Sequence, residues 1–263
     1  MRFFIEFSYK GTNYHGWQVQ PNANTVQAEI NKALSCILNA KIEVAGAGRT
    51  DAGVHAKQMF AHFDYDKEFD FHTTITKLNS FLANDIAVRS FFKVKEATSS
   101  RFDALSRIYH YNIVQQKNPF KTTAYFVHKP LDVKQMNLAC QYLLGKQDFT
   151  SFSKANTQTF TNNCNVILAN WQWQDEELIF TIKADRFLRN MVRAIVGTLL
   201  EVGLGKIKEG QVKEIIAQRD RCMAGASVPA NASATPFDTR AIPLPAREFP
   251  RAALDRKSAC GNR

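Results

Sequence analysis

Apolar and polar positions alternate between two periods along the chain. Residues 2–7 alternate one by one, which predicts a first strand. From Val26 to Leu38 the apolar residues Val26, Ile30, Ala33, Leu34, Ile37 and Leu38 recur at helical spacing. Residues 41–47 alternate again, and residues 43–46 and 59–65 read as strands on either side of a glycine-rich turn. Residues 73–82 predict a helix through Ile75, Leu78 and Leu82, and Ile86 to Val94 a strand. A second set follows the first. It comprises a strand over 109–114, a helix over 133–144, and paired strands over 165–173 and 178–182 around the acidic turn Asp175-Glu176-Glu177. A helix over 187–202 and a shorter one over 212–217 complete it.

Strands interleaved with helices in two similar halves predict an α+β fold. Its two α+β halves share a mixed, mainly antiparallel sheet with helices outside. No internal sequence repeat relates the halves. After Ala230 the pattern stops: residues 231–263 hold four of the eight prolines and no clear period. Such a segment reads as an irregular tail. The expected organisation is 1–104, 105–230 and 231–263.

Bulk composition narrows the function. With 45% hydrophobic and 22% charged residues the 263-residue chain is ordinary for a globular protein. No run of eighteen apolar residues occurs, so no membrane span is expected. The first residues are charged too early for a signal peptide and read as a strand. A net charge of +10 favours a polyanionic partner, because Lys and Arg neutralise phosphates without reading sequence. Cys36, Cys140, Cys164, Cys222 and Cys260 are odd in number and widely spaced. They suggest neither a zinc site nor a disulfide framework. The six histidines are equally scattered, so a metal-free protein of the reducing cytoplasm is expected.

The candidate chemistry centres on residues 46–56, Gly-Ala-Gly-Arg-Thr-Asp-Ala-Gly-Val-His-Ala. The glycines let the backbone turn sharply, and Asp51 follows Arg49 by two residues. An aspartate in such a turn commonly caps backbone N–H groups, so taken alone it says little. Arg189 and Arg193 lie four apart on the 187–202 helix, beside its apolar stripe with Arg186, from where they can point into a cleft. Arg107, Tyr109 and Tyr111 share one face of a strand; a tyrosine there more often packs than reacts. Arg49 could fill the gap left by an extruded base and hold a phosphate, or pair with Asp51 or Asp103.

Several further motifs accompany the aspartate string. They are residues 11–20 followed by Thr25-Val26-Gln27, Leu78-Asn79 with residues 85–88, and Arg101-Phe102-Asp103-Ala104 followed by Arg107, Tyr109 and Tyr111. Leu143-Leu144-Gly145 with residues 148–152, and residues 187–193, continue the series. In order and spacing, from about Phe3 to about Ala230, the chain resembles the tRNA pseudouridine synthase A family. It departs at Lys10, where the family carries an acid. It departs again after Ala230, where a Gly-Leu-x-Leu strand would place an apolar residue under the target base and Asn231-Ala232-Ser233-Ala234 stands instead. Native variation and a reading-frame change both account for that departure.

The resemblance implies a central cleft between the halves and isomerisation of uridine to pseudouridine at tRNA positions 38 to 40, in the anticodon arm. It assigns Asp51 as the nucleophile, Arg193 as its partner and Tyr109 as the active-site tyrosine. Arg189 would lie on RNA phosphate, and Arg49 and Arg107 complete the RNA-binding set. No cofactor or metal is implied, and the family analogy gives a homodimer with tRNA across both subunits. Whether C1′ or C6 is attacked first stays open. Two other classes compete: a catalytically impaired tRNA-binding or folding protein, and a metal-dependent nuclease using Asp51 with Asp64 or Asp103. Two-metal sites need several clustered carboxylates, which counts against the nuclease.

Overall fold

The computed structural model describes residues 1–154 and 159–235. Strand β1 (Arg2–Tyr9) turns Phe3, Ile5, Phe7 and Tyr9 toward one face of a sheet. Helix α1 (Val26–Leu38) covers that face with Val26, Ile30, Ala33 and Leu34, all fully buried. Thr25 caps the helix by accepting from the Ala28 N–H, and Asn39, in the left-handed conformation, ends it. The two-residue β2 (Ala45–Gly46) and the long β3 (His55–Asp64) flank the aspartate turn. Helix α2 (Phe71–Phe81) and β4 (Ile86–Val94) complete this half.

The second half begins with β5 (Arg107–Val114) and the short β6 (Tyr125–Phe126). Helix α3 (Val133–Gln141), β7 (Gly145–Asp148), β8 (Asn163–Gln174) and β9 (Glu177–Ala184) follow. Then come α4 (Met191–Gly203) and α5 (Gln211–Gln218). One apolar cluster draws on Phe3 to Phe91, another on Tyr111 to Ala232. Among the described residues the strands, with β10 (Ser233–Thr235) the last, form one ten-stranded sheet in the order β4-β1-β3-β10-β5-β9-β8-β7, with β2 and β6 beside β3 and β5. Pairing is antiparallel except for β5 with β6 and β10 with β3, so the sheet is mixed and mainly antiparallel, as the pattern predicted.

Strand β10 (Ser233–Thr235) corrects the sequence reading. The pattern places residues 231–235 in an irregular tail, and their sequence carries no signal for a closing strand. In the structure Ala230–Ala232 forms a short 3-10 turn, and Ser233–Thr235 enters the middle of the sheet. It runs parallel to β3, with Ala234 opposite His55, and antiparallel to β5, with Ser233 opposite Tyr111. The strand has no apolar period because its place is set by backbone bonds on both edges, and small residues suffice between two existing strands. The remainder of the predicted tail, 236–263, lies outside the described residues.

The helix predicted over 187–202 starts later, at Met191. Asn190 takes a left-handed conformation (φ +67°), so the chain turns before α4 and Arg189 is not helical.

Candidate active site

The turn carrying Asp51 is held from the side by residues 9–17. Trp17 N–H donates to Thr50 O (3.2 Å) and Gly53 N–H to Tyr14 O (3.3 Å). Tyr9 Oη pairs with Thr50 Oγ1 at 2.8 Å. Gly16 and Gly53 both have positive φ, and a Cβ on Gly16 would overlap Thr50 O, so only glycine lets the segment close over the turn. Residues 11–17 and the aspartate string are thus two parts of one device.

His55 ties the same turn to the end of the described chain. Its Nδ1 accepts from Gly11 N–H (2.9 Å), which leaves Nε2 to donate to Asn231 O (2.8 Å). Burial lowers its pKa, in keeping with a neutral ring. His55 thus has a structural part in the turn, and its partner at Asn231 carries no sequence signal.

Arg193 and Arg189 approach Asp51 from the other half. Arg193 Nη1 lies 3.8 Å from Asp51 Oδ2, and Arg189 Nε lies 3.8 Å from Oδ1. Both distances exceed a hydrogen bond, so the pairing is electrostatic and leaves the carboxylate lone pairs open. The Asp51 side chain is 31% exposed, and those of Arg193 and Arg189 are 26% and 62% exposed. Arg193 Nε donates to Val228 O (2.7 Å), which aims the guanidinium. The segment before Val228 crosses α4 where a Cβ on Gly197 would overlap Ala226 O, and Thr198 Oγ1 accepts from Gly225 N–H. The N-terminal turn of α4 is therefore fixed against its neighbour.

Tyr109 stands on β5, half-buried, with its ring edge-on to Phe187 (5.0 Å between centroids). Burial first, and then the Asp51 charge, push its phenol up to about 12. Next to it on the same face, Tyr111 is fully buried and donates to Pro229 O (2.9 Å), a packing role.

Arg107, which the resemblance places in the RNA-binding set, has its guanidinium engaged by main chain. Its Nη1 donates to Ala104 O and Asp185 O, and its Nη2 to Ala47 O and Arg101 O, at 2.6–3.2 Å. Burial lowers its pKa. With four carbonyls on its guanidinium it joins three loops around the site. Arg49 is exposed and has no ion pair among the described residues. Asp64 is held by Arg2, and Asp103 accepts from Ser99 N–H, so neither is gathered beside Asp51. Among the described residues no cluster of His, Cys, Asp and Glu could hold a metal ion. No described helix is long and apolar enough to cross a membrane.

Residues 6–103 and 139–235 match the family model described as "tRNA pseudouridine synthase". The chain belongs to the tRNA pseudouridine synthase family. This family isomerises uridine to pseudouridine in tRNA. Among its members the chain is 51% identical over 234 residues to the tRNA pseudouridine synthase A of Bacteroides fragilis, covering 88% of this chain and 93% of that one. The tRNA pseudouridine synthase A of Bacteroides thetaiotaomicron is also 51% identical, over 235 residues, with 88% and 87% covered. The tRNA pseudouridine synthase A 2 of Clostridium perfringens is 36% identical over 228 residues, with 86% and 93% covered. The family match ends at the last residue of β10.

Proposed function

We propose that Asp51 is the nucleophile of this tRNA pseudouridine synthase and that its targets are uridines 38 to 40 of the anticodon arm. The observation that carries the site assignment is the carboxylate between two guanidinia at 3.8 Å, open to solvent at the junction of the halves. The resemblance supports the tRNA positions.

In one route the carboxylate adds to C1′ and the C1′–N1 electron pair leaves with the base. After rotation, C5 attacks C1′ and the carboxylate departs. Loss of the C5 proton and gain of one at N1 balance the reaction. Because one C–N bond is exchanged for one C–C bond and the proton is conserved, the isomerisation calls for no redox partner. In the other route Asp51 acts first on the base at C6. Arg193 and Arg189 favour the ionised carboxylate in either case.

A phenol with a pKa of about 12 is ionised in about one molecule in 10⁵ at pH 7. Tyr109 therefore serves as a neutral ring against the uracil and as a proton relay, not as a free phenolate. Arg49 is read as an RNA ligand, and Arg189 as a second one that shares Asp51 with Arg193. Arg107 is read as the clamp of the cleft loops. The resemblance also carries a cytoplasmic homodimer with tRNA across both copies. Incubation with unmodified tRNA transcripts, followed by position-resolved detection of pseudouridine, tests the activity and its sites. Product confined to positions outside 38 to 40 would overturn the target assignment. Sedimentation of the free protein tests the dimer.

A further inference from the structure

The segment after β4 carries two large apolar side chains that the fold does not use. Phe102 is 81% exposed and Leu105 is 71% exposed. Leaving a phenylalanine in water forgoes about 1.5–3 kcal/mol of burial. On a loose loop this would need no explanation, but this loop is fixed at nearly every residue. Ser99 Oγ accepts from the N–H groups of Arg101 and Phe102. Asp103 accepts from Ser99 N–H at 2.7 Å, and its own N–H donates to Ser99 O. Ser100 is fully buried and donates to Ala45 O. Arg107 holds Arg101 O at 2.6 Å and Ala104 O at 3.0 Å. The ring is presented from a rigid base.

The same Arg107 locates the ring. The nitrogen that holds Arg101 O also holds Ala47 O, four residues before Asp51. The nitrogen that holds Ala104 O also holds Asp185 O, four residues before Arg189. Phe102 therefore stands on a loop that Arg107 ties to the segments leading into Asp51 and Arg189. Its electrostatic setting is basic: the Arg101 guanidinium lies 5.4 Å from the ring centroid. Arg49 and Arg189, which follow Ala47 and Asp185 by two and four residues, are exposed, and Asp103, the acid next to Phe102, is tied to backbone. A flat apolar ring backed by guanidinium suits an unpaired base on a phosphate chain.

We infer that Phe102 is a stacking residue for the tRNA substrate, receiving an unpaired nucleobase next to the uridine in the cleft. This inference rests on the pseudouridine synthase reading. Phe102→Ala should weaken tRNA binding about 5- to 160-fold, the range for loss of one base–aromatic stack. Single-turnover rate at saturating enzyme should change far less, and the melting temperature should not move, because the ring packs against little. Phe102→Trp should restore binding, and its emission should be quenched by tRNA beyond any change in the parent, whose tryptophans supply the control. Parent-like affinity of Phe102→Ala, or absence of the extra quenching, would overturn the inference. So would a change confined to the sedimentation coefficient, which would make the ring a contact between copies. The quenching reads stacking whether or not turnover occurs. Failure of the parent to form pseudouridine would therefore strike the functional reading separately.

Discussion

The two partners of the central ion pair are built in opposite ways. Asp51 sits on a turn fixed by backbone bonds from residues 14 and 17, within one half of the molecule. Its position is decided by main chain and glycine, with little left to side-chain choice. The guanidinia come from the other half on long side chains. Arg193 is partly buried and tied through Nε to Val228 O, whereas Arg189 lies outside α4 and is 62% exposed. A fixed carboxylate thus faces one anchored and one loose cation. The anchored one suits orientation of the carboxylate. The loose one can exchange the carboxylate for an arriving phosphate at small cost, since an exposed ion pair contributes about 0–1 kcal/mol.

The largest test of this contrast removes the fixed partner. Asp51→Asn should lower the single-turnover rate on tRNA by more than about 10³-fold, as expected for loss of a covalent nucleophile. Affinity for tRNA should stay within a few-fold of the parent, because binding is spread over many cations. A rate within tenfold of the parent would remove Asp51 from the chemistry.

Next in size is the joint between the halves. β10 is three residues long, yet among the described residues it alone bridges β3 and β5 in the sheet order. Ala234→Pro should cost roughly 3 kcal/mol, because proline cannot donate within a central strand. Chemical denaturation measures this. The rate should fall too, since the joint keeps Asp51 and Arg193 in register. A variant as stable as the parent would show that the strand carries no load.

The arginines then sharpen the comparison. Arg193→Ala should lower the single-turnover rate by about 1–3 kcal/mol, and Arg193→Lys should recover only part, as a point charge lacks the fork. Arg189→Ala should cost less than about 1 kcal/mol in rate and act mainly on tRNA affinity and its salt dependence. Equal effects of the two alanine substitutions on rate would erase the distinction between anchored and loose.

Most of this architecture was readable from periodicity. α1 and β4 fall where the apolar pattern predicted, because each buries one face against a large core. The aspartate turn was readable because its glycines and Asp51 lie in one continuous string. Three things were hidden for physical reasons. β10 has no period because its neighbours on both sides, not its side chains, define it. The start of α4 was masked by an apolar stripe that continues through Phe187 and Leu188, while the break depends on one left-handed residue, Asn190. The clamp made by Arg107 was hidden because its four acceptors are main-chain carbonyls from three segments far apart in sequence, which no sequence pattern marks.

The smallest effect concerns pH at the seam that holds the fixed partner. His55 accepts from Gly11 N–H and donates to Asn231 O, an arrangement only the neutral ring with its proton on Nε2 satisfies. Protonation would set two N–H groups against each other at Nδ1. Its folded pKa lies below the ordinary value of about 6.5 through burial, so between the two values the unfolded chain binds the proton and the folded protein does not. The stability from this group is present above about pH 6.5 and declines as pH falls toward the folded pKa, below which it is gone. His62 and His110, also lowered by burial, add to the same slope. Urea denaturation at pH 7.5 and 5.5 should therefore give a lower midpoint at the acid pH. His55→Gln should be less stable at pH 7.5, with a smaller difference between the two pH values, because the side chain that titrates is gone. An unchanged difference in that variant would move the pH dependence to the other two histidines and leave the seam between Gly11 and Asn231 insensitive to protons.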